Sequence, residues 1–392
     1  MLEWHYRCGL YRMTLKQHHC VISAISLKSE KYMKSPQDYI NLLPGVPIVE
    51  SPFFEEICKG GYFTEEEEAI AVQLHSKGYA VLDFPDAEIH ERAERIKNNL
   101  TPHFQPYVDG TKTESPTGMQ INNTRFQDAF QIDKDVTAIA TNERVIHLLD
   151  RLYGRKCFPF QTLNFRVGTQ QHIHSDAVHF NSHPERFMCG VWVALEDITP
   201  ENGPLKYHPG SHKFTHYYNA HIGYDVSRRS VQPHQALYHD IWNALVEKYN
   251  CPVEHFFAKK GQALIWSAHL LHGGEIVLDK SASRWSQVTH YFFENCSYFT
   301  PMMSNPFAGK ILFRRPANIV ARDYQRNYYL GIPQSLEYIR ENLERVNTWE
   351  VVLPKDFDPE RYCELHPDVQ ESGLTAEQHF LQYGYHKARK YK

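Results

Sequence analysis

Four absences narrow the reading of this 392-residue chain before any motif is considered. No apolar run approaches the roughly 18–20 residues that a membrane helix requires. The N-terminal run CVISAISL is too short and too poorly flanked for a signal peptide. No dense run of Lys or Arg interrupts a chain of net charge −4, so the electrostatic footprint of a nucleic-acid binder is missing. The eight cysteines (Cys8, Cys20, Cys58, Cys157, Cys189, Cys251, Cys296, Cys363) are scattered, and no two stand at zinc-site spacing. They read as mostly buried thiols of a reducing compartment. The absences together point to the cytoplasm, no membrane span and no nucleic-acid partner. Present in quantity are hydrophobic residues, 42% of the chain, enough for a substantial core and too many for a disordered chain. Histidine is the outlier, with 24 residues.

Residues 1–32 are basic, poor in acidic groups and without clear periodicity. They read as a disordered leader, with an organellar presequence or translation from Met33 as the alternatives. The first firm elements lie in TEEEEAIAVQLHSKGYAVLDF. Thr64 and Glu67 form a capping box, Gly78 ends the helix, and a strand follows over Tyr79–Phe84. Spacing predicts helices over 86–100, with Ile89, Ala93 and Ile96 on one face, and over 135–153. The segment between them, 101–124, is rich in Pro, Gly, Thr and Asn and reads as a long loop. From residue 157 short β-like runs alternate with turn signals: FPFQTLNFRV, MCGVWVALED, PLKYHPGSH, QALIWSA and WSQVTHYFFEN. That texture fits a sandwich or barrel better than a doubly wound sheet. Residues 335–347 carry Leu336, Ile339, Leu343 and Val346 at helical spacing, and a compact tail follows from 356. The resulting division is a leader over 1–50, a central domain over 51–334 and a helical module over 335–392.

The chemistry concentrates in QQHIHSDAVHF, residues 170–180. In a strand, positions i and i+2 share a face, so His174 and Asp176 can converge on one ion. His172 shares that parity, but roughly 13 Å of extended chain separates it from Asp176, too far for one mononuclear centre to take all three. A third ligand must come from elsewhere, and IWSAHLLHGGE supplies two candidates, His269 and His272. Two histidines and a carboxylate on one face of a metal are the arrangement of non-haem Fe(II) oxygenases, whose open positions take cosubstrate and O₂. If the cosubstrate is 2-oxoglutarate, its distal carboxylate needs a fixed cation, for which an Arg fork is best suited. Arg284 opens the next strand, and Ser286 lies two positions on, facing the same side. His172, His179, His183 and His290 read as neighbours or structural residues.

The series HSD (174–176), VWVALEDITPENGPLKYHPGSHK (191–213), HLLHGGE (269–275) and Arg284 resembles the phytanoyl-CoA dioxygenase family. QTLNF before HSD brings it nearest to the ectoine-hydroxylase branch. The resemblance covers roughly residues 60–300. It implies a double-stranded β-helix, a cupin-like jelly roll that is mainly β with flanking helices. It also implies Fe(II) held by His174, Asp176 and His272, with 2-oxoglutarate and O₂ as cosubstrates. Arg284 would grip the cosubstrate carboxylate and Trp192 would line its pocket. Thr162, Asn164 and Arg166 would stand where the family places cosubstrate and substrate contacts, with Ser286 adding a hydroxyl. Related halogenases carry a small residue in place of the carboxylate ligand, so Asp176 favours hydroxylation of an unactivated C–H bond, with release of succinate and CO₂. AVHFNSHPERF after HSD departs from the ectoine signature, so the resemblance names no substrate. The tail is similar to a short helical module of bacterial proteins linked to glycans, which points to a small-molecule or glycan-linked substrate. The rival readings are a cupin-type metal protein of other chemistry and a non-catalytic interaction protein on the same fold.

Overall fold

The computed structural model describes residues 35–112, 120–223, 234–347, 353, 356–380 and 389–391. The leader through residue 34 lies outside them. Ile48 and Val49, which the sequence division leaves in the leader, are buried in the main core.

Helix α1 (Glu65–Lys77) forms where the capping box places it. Thr64 accepts from the Glu67 N–H, and the Glu67 side chain accepts from the Thr64 N–H. Gly78 closes the helix at φ 84°, a left-handed conformation that glycine adopts without strain, and the His212 ring leaves no room there for a Cβ. Replacing Thr64 with alanine is expected to cost about 1 kcal/mol, read as a lower urea midpoint at unchanged slope.

Helix α2 (Ile89–Val108) runs past the expected end at 100, through Pro102 and Pro106. The reason is burial: Leu100 and Phe104 extend the face begun by Ile89, Ala93 and Ile96, and Phe104 meets Trp285 edge-on at 5.5 Å. The single helix expected over 135–153 is two, α3 (Lys134–Ala140) and α4 (Glu143–Tyr153). Asn142 makes the break, because its side chain accepts from the N–H groups of Arg144 and Val145 and so starts a new helix.

Up to residue 299 the strands are β1 (Tyr79–Asp83), β2 (Gln120–Ile121), β3 (Arg125–Gln127), β4 (Cys157–Phe165), β5 (Asn181–His183), β6 (Met188–Ala194), β7 (Leu205–Tyr207), β8 (Glu254–Phe256), β9 (Gln262–Ser267), β10 (His272–Gly274), β11 (Ser286–Phe293) and β12 (Ser297–Phe299), and two short hairpins follow over 317–333. Seven form one antiparallel sheet in the order β1-β9-β6-β11-β4-β3-β2; β10-β7-β8 form a second, and β12-β5 a short pair. Apart from the β2–β3 hairpin, neighbouring strands are distant in sequence, as in a jelly roll, and the fold is a double-stranded β-helix with flanking helices.

Both faces of the large sheet are covered. On one, Val191, Val193, Ala263 and Ile265 join Ala93, Ile96, Val136 and Leu149 of the helices. On the other, Trp192, Leu264, Trp266 and Val288 meet Tyr207 and Phe256 of the small sheet. The site opens within this second layer. Helix α5 (His234–Lys248) packs Tyr238 and Trp242 onto Ile173, Val178 and Leu271, the residues flanking the HSD segment and His272.

The expected helix at 335–347 is present as α6 (Leu336–Asn347). In the tail, α7 (Pro359–Leu365) contributes Tyr362 to a small core with Val369, Ala376 and Phe380, and the Tyr362 hydroxyl lies 3.0 Å from His379 Nδ1. Among the described residues six cysteines are free, of which Cys157, Cys189 and Cys296 are buried. No helix among the described residues is long and apolar enough to cross a membrane.

Candidate metal centre and cofactor pocket

His174 and Asp176 do not lie on a regular strand. His174 forms an isolated bridge with His272, and Asp176 begins a 3-10 turn over Asp176–Val178. The bridge is reciprocal: the His174 N–H donates to the His272 carbonyl at 2.8 Å, and the His272 N–H to the His174 carbonyl at 3.0 Å. It brings the third ligand candidate beside the first. His174, Asp176 and His272 each offer a ligand atom within 4.8 Å of the others, so this group can hold a metal ion. His269, the other candidate, is buried outside the group, beside His216.

The two imidazoles are oriented alike. His174 Nδ1 is 2.9 Å from the His172 carbonyl, and His272 Nδ1 is 3.0 Å from the Leu270 carbonyl. Each carbonyl fixes the Nδ1–H tautomer and leaves Nε2 as the coordinating nitrogen. These Nε2 atoms lie 3.6 and 3.7 Å from the Asp176 carboxylate. Burial pushes the His272 imidazole down to about 4, so it is neutral and able to coordinate near pH 7. Burial alone would raise Asp176, but His272, the hydrogen bond to His174 and His290 hold its carboxyl well below the usual range. The donor set thus suits a divalent cation: two imidazole nitrogens and one carboxylate, all buried or nearly so.

Two residues at the centre escaped the sequence reading. Trp266 Nε1 donates to Asp176 Oδ2 at 2.9 Å. Gly190, facing it across the β6–β9 pair, gives the indole its space, since a Cβ there would collide with the ring. Trp266 is therefore a positioning residue for the carboxylate. Trp266→Phe is expected to weaken Co(II) or Fe(II) binding by about 10–100-fold, measured by competition with a chromophoric chelator. An unchanged affinity would count against that role. The only signal in the sequence was parity with Leu264 on an apolar strand.

A cavity of about 480 Å³ opens over the group and is lined by His179, Trp192, Trp266, His290 and Arg284, among others. His172 and His183 are exposed and stand apart from it. His290 turns Nε2 towards Asp176 Oδ2 at 3.7 Å, and its Nδ1 is 3.1 Å from Gln161 Oε1. Thr162 and Asn164 are the corrections. They sit on the opposite face of β4, where the Thr162 hydroxyl accepts from the Phe130 N–H and Asn164 bonds Gln287. The β4 residues that reach the cavity are Gln161, Leu163 and Phe165. Arg166, also expected there, is not among the cavity-lining residues; its carbonyl accepts from the Arg284 N–H.

Arg284 is fully buried at 1% exposure, and no described carboxylate lies within 4 Å of its guanidinium. Its Nη1 donates to Ser286 Oγ at 3.2 Å, while Nε has no partner. The Trp192 and Phe165 rings stand 5.7 and 5.8 Å from the guanidinium carbon, and the Trp192 Nε1–H also has no partner. Burial pushes Arg284 down to about 10, still cationic at neutral pH. A buried cation with idle donors, opening on a cavity, fits the carboxylate of a small acid. The site therefore fits both a divalent metal and a dicarboxylate cosubstrate.

Residues 74–279, just over half of the chain, match the family described as Phytanoyl-CoA dioxygenase (PhyH). The chain belongs to this family. It is an enzyme, a non-haem iron oxygenase dependent on 2-oxoglutarate. Solved structures similar to this PhyH protein include the non-heme alpha ketoglutarate dependent epimerase SnoN from nogalamycin biosynthesis, 18% identical over 59% of this chain and 83% of that one, with a TM-score of 0.43. EctD from S. alaskensis with bound Fe is 16% identical over 59% and 77%, with a TM-score of 0.43. HygX from Streptomyces hygroscopicus with nickel and 2-oxoglutarate bound is 15% identical over 61% and 89%, with a TM-score of 0.40. Likeness at this level adds nothing to the family assignment. No curated protein matches the chain.

Proposed function

We propose that this PhyH protein hydroxylates an unactivated C–H bond of a small, polar molecule, converting 2-oxoglutarate and O₂ to succinate and CO₂. The observation that carries the reading is Arg284, a buried cation with no carboxylate within 4 Å among the described residues, which opens on the same cavity as the His174–Asp176–His272 group. In this reading the three ligands hold Fe(II), which when bound supplies the activation of O₂. Arg284, steadied by Ser286, binds the distal carboxylate of 2-oxoglutarate, and Trp192 closes the wall beside it. The ring stack of Phe160, Phe180 and Phe292 backs His290 and keeps that side of the cavity dry. The carbonyls of His172 and Leu270 hold the imidazoles in place while reactants exchange. Gln120, Gln127, Gln161 and Gln171 line the cavity and favour a substrate with hydrogen-bonding groups. The resemblance of the tail to a glycan-associated module makes sugar-containing molecules the first to test.

Anaerobic addition of Fe(II) and 2-oxoglutarate is expected to give the weak visible charge-transfer band of the chelate, and its absence would sink the reading. With O₂ and a substrate, hydroxylation adds one oxygen atom to the product mass. A product of unchanged mass formed with succinate release would assign an epimerisation instead.

A further inference from the structure

Besides Arg284, two more arginines line the cavity, Arg125 on β3 and Arg314 in the segment after β12. Neither guanidinium lies within 4 Å of a described carboxylate. Arg314 is held as a fixed group. Its backbone N–H donates to the Tyr298 carbonyl at 2.7 Å, and its own carbonyl accepts from Asn327 Nδ2 at 3.0 Å. Its Nη1 donates to Thr300 Oγ1 at 3.1 Å and lies 3.4 Å from the His179 carbonyl, while the guanidinium stacks over Phe180 at 4.6 Å. Those bonds use only Nη1 of the guanidinium, and the residue lines the cavity. Asp128 attracts Arg314 only from a distance, and its carboxylate is engaged by the Thr162 N–H and by Gln127. Both arginines line the same cavity as His290.

Charge balance sharpens the point. Among the described residues, Asp176 is the only acidic one lining the cavity. With the proposed function, on which this inference rests, Asp176, a divalent ion, dianionic 2-oxoglutarate and Arg284 cancel. Arg125 and Arg314 are the positive charges left over. Two unmatched cations in a partly desolvated cavity are costly unless an anion meets them. Arg314 also lies outside the family match at 74–279, so it belongs to the part of the chain that the match does not describe.

We propose that Arg125 and Arg314 recognise a negatively charged group, a carboxylate or a phosphate, on the molecule to be oxidised. Fixed guanidinium forks suit either oxyanion, and the cation–π contact with Phe180 keeps Arg314 in position between turnovers.

The test uses two skeletons with three head groups each: hexanol, hexanoate and hexyl phosphate, and D-glucose, D-glucuronate and D-glucose 6-phosphate. Each is titrated calorimetrically into the full chain holding Fe(II) and 2-oxoglutarate without O₂, so that the Arg284 site is already filled. At least one charged member is expected to bind about tenfold or more tightly than its neutral partner, and which one separates carboxylate from phosphate recognition. Arg314→Gln and Arg125→Gln should each erase most of that preference, whereas Arg314→Lys retains part of it. Neutral-probe binding that survives in the glutamine variants separates lost recognition from lost folding, and a thermal melt checks the same point. Equal binding of charged and neutral members, binding by none of the six, or a preference that persists in the double glutamine variant overturns the proposal. The same titrations on metal-free protein read anion binding even if no Fe(II) chelate forms, so failure of the oxygenase reading is seen separately.

Discussion

Arg284→Met is expected to raise the Kd for 2-oxoglutarate by about 30-fold to several thousand-fold, and yet to make the cosubstrate-free protein harder to unfold. The first effect follows from truncating one partner of a buried, hydrogen-bonded charge pair, worth about 2–5 kcal/mol. The second follows from the state of the side chain on its own. Arg284 is 1% exposed, has no carboxylate within 4 Å among the described residues and leaves Nε unpaired. Methionine of similar length would pack against Trp192 and Phe165 without stranding a charge, a change that can stabilise a fold by about 1–4 kcal/mol. Calorimetric titration of 2-oxoglutarate and urea unfolding without it read the two effects separately. An unchanged Kd would remove Arg284 from the cosubstrate site. A less stable variant would mean that the guanidinium has a structural partner.

Asp176→Ala is expected to abolish stable metal binding, a larger loss than the about 10–100-fold assigned to Trp266, because a ligand itself is removed. The substitution also strands the Trp266 Nε1–H in a buried site, at a cost of about 1–3 kcal/mol. It should therefore melt earlier than wild type even when both are metal-free. Asp176→Asn keeps an acceptor for the indole, so its metal-free stability should recover while metal affinity stays low. Co(II) titration and thermal unfolding of the two variants check this. Tight Co(II) binding by Asp176→Ala would show that His290, 3.7 Å from the carboxylate, can take over as a ligand.

The parts of the site that were legible in the sequence are those whose chemistry is rare. Imidazoles crowded beside an aspartate, a second histidine pair at the end of an apolar run and an arginine at the head of a strand need little tertiary information. The phase of β4 was not legible. With helices on one face and the cavity on the other, both faces are buried, so no polar–apolar alternation says which parity points inward. The resemblance places Thr162 and Asn164 at the cosubstrate pocket, whereas the pairing of Gln161 with His290 turns them to the opposite face. Trp266 hid in the same way, as an aromatic residue in a strand that reads as core. Among the helices, the errors arose where a local signal met a competing one. At 101–108 burial of Phe104 overrode two prolines, and at 142 an asparagine cap divided an otherwise continuous apolar face.

The reciprocal backbone bridge between His174 and His272 bears on how the protein lives with a labile metal. The two histidines stand roughly one hundred residues apart in the chain, yet amide hydrogen bonds and α5 packing behind them hold them in register. Loss of the metal is therefore expected to leave in place the loop that carries them. The protein should survive chelation folded, return to the same site when iron is restored, and tolerate cycles of depletion that would unravel a domain relying on its metal for closure.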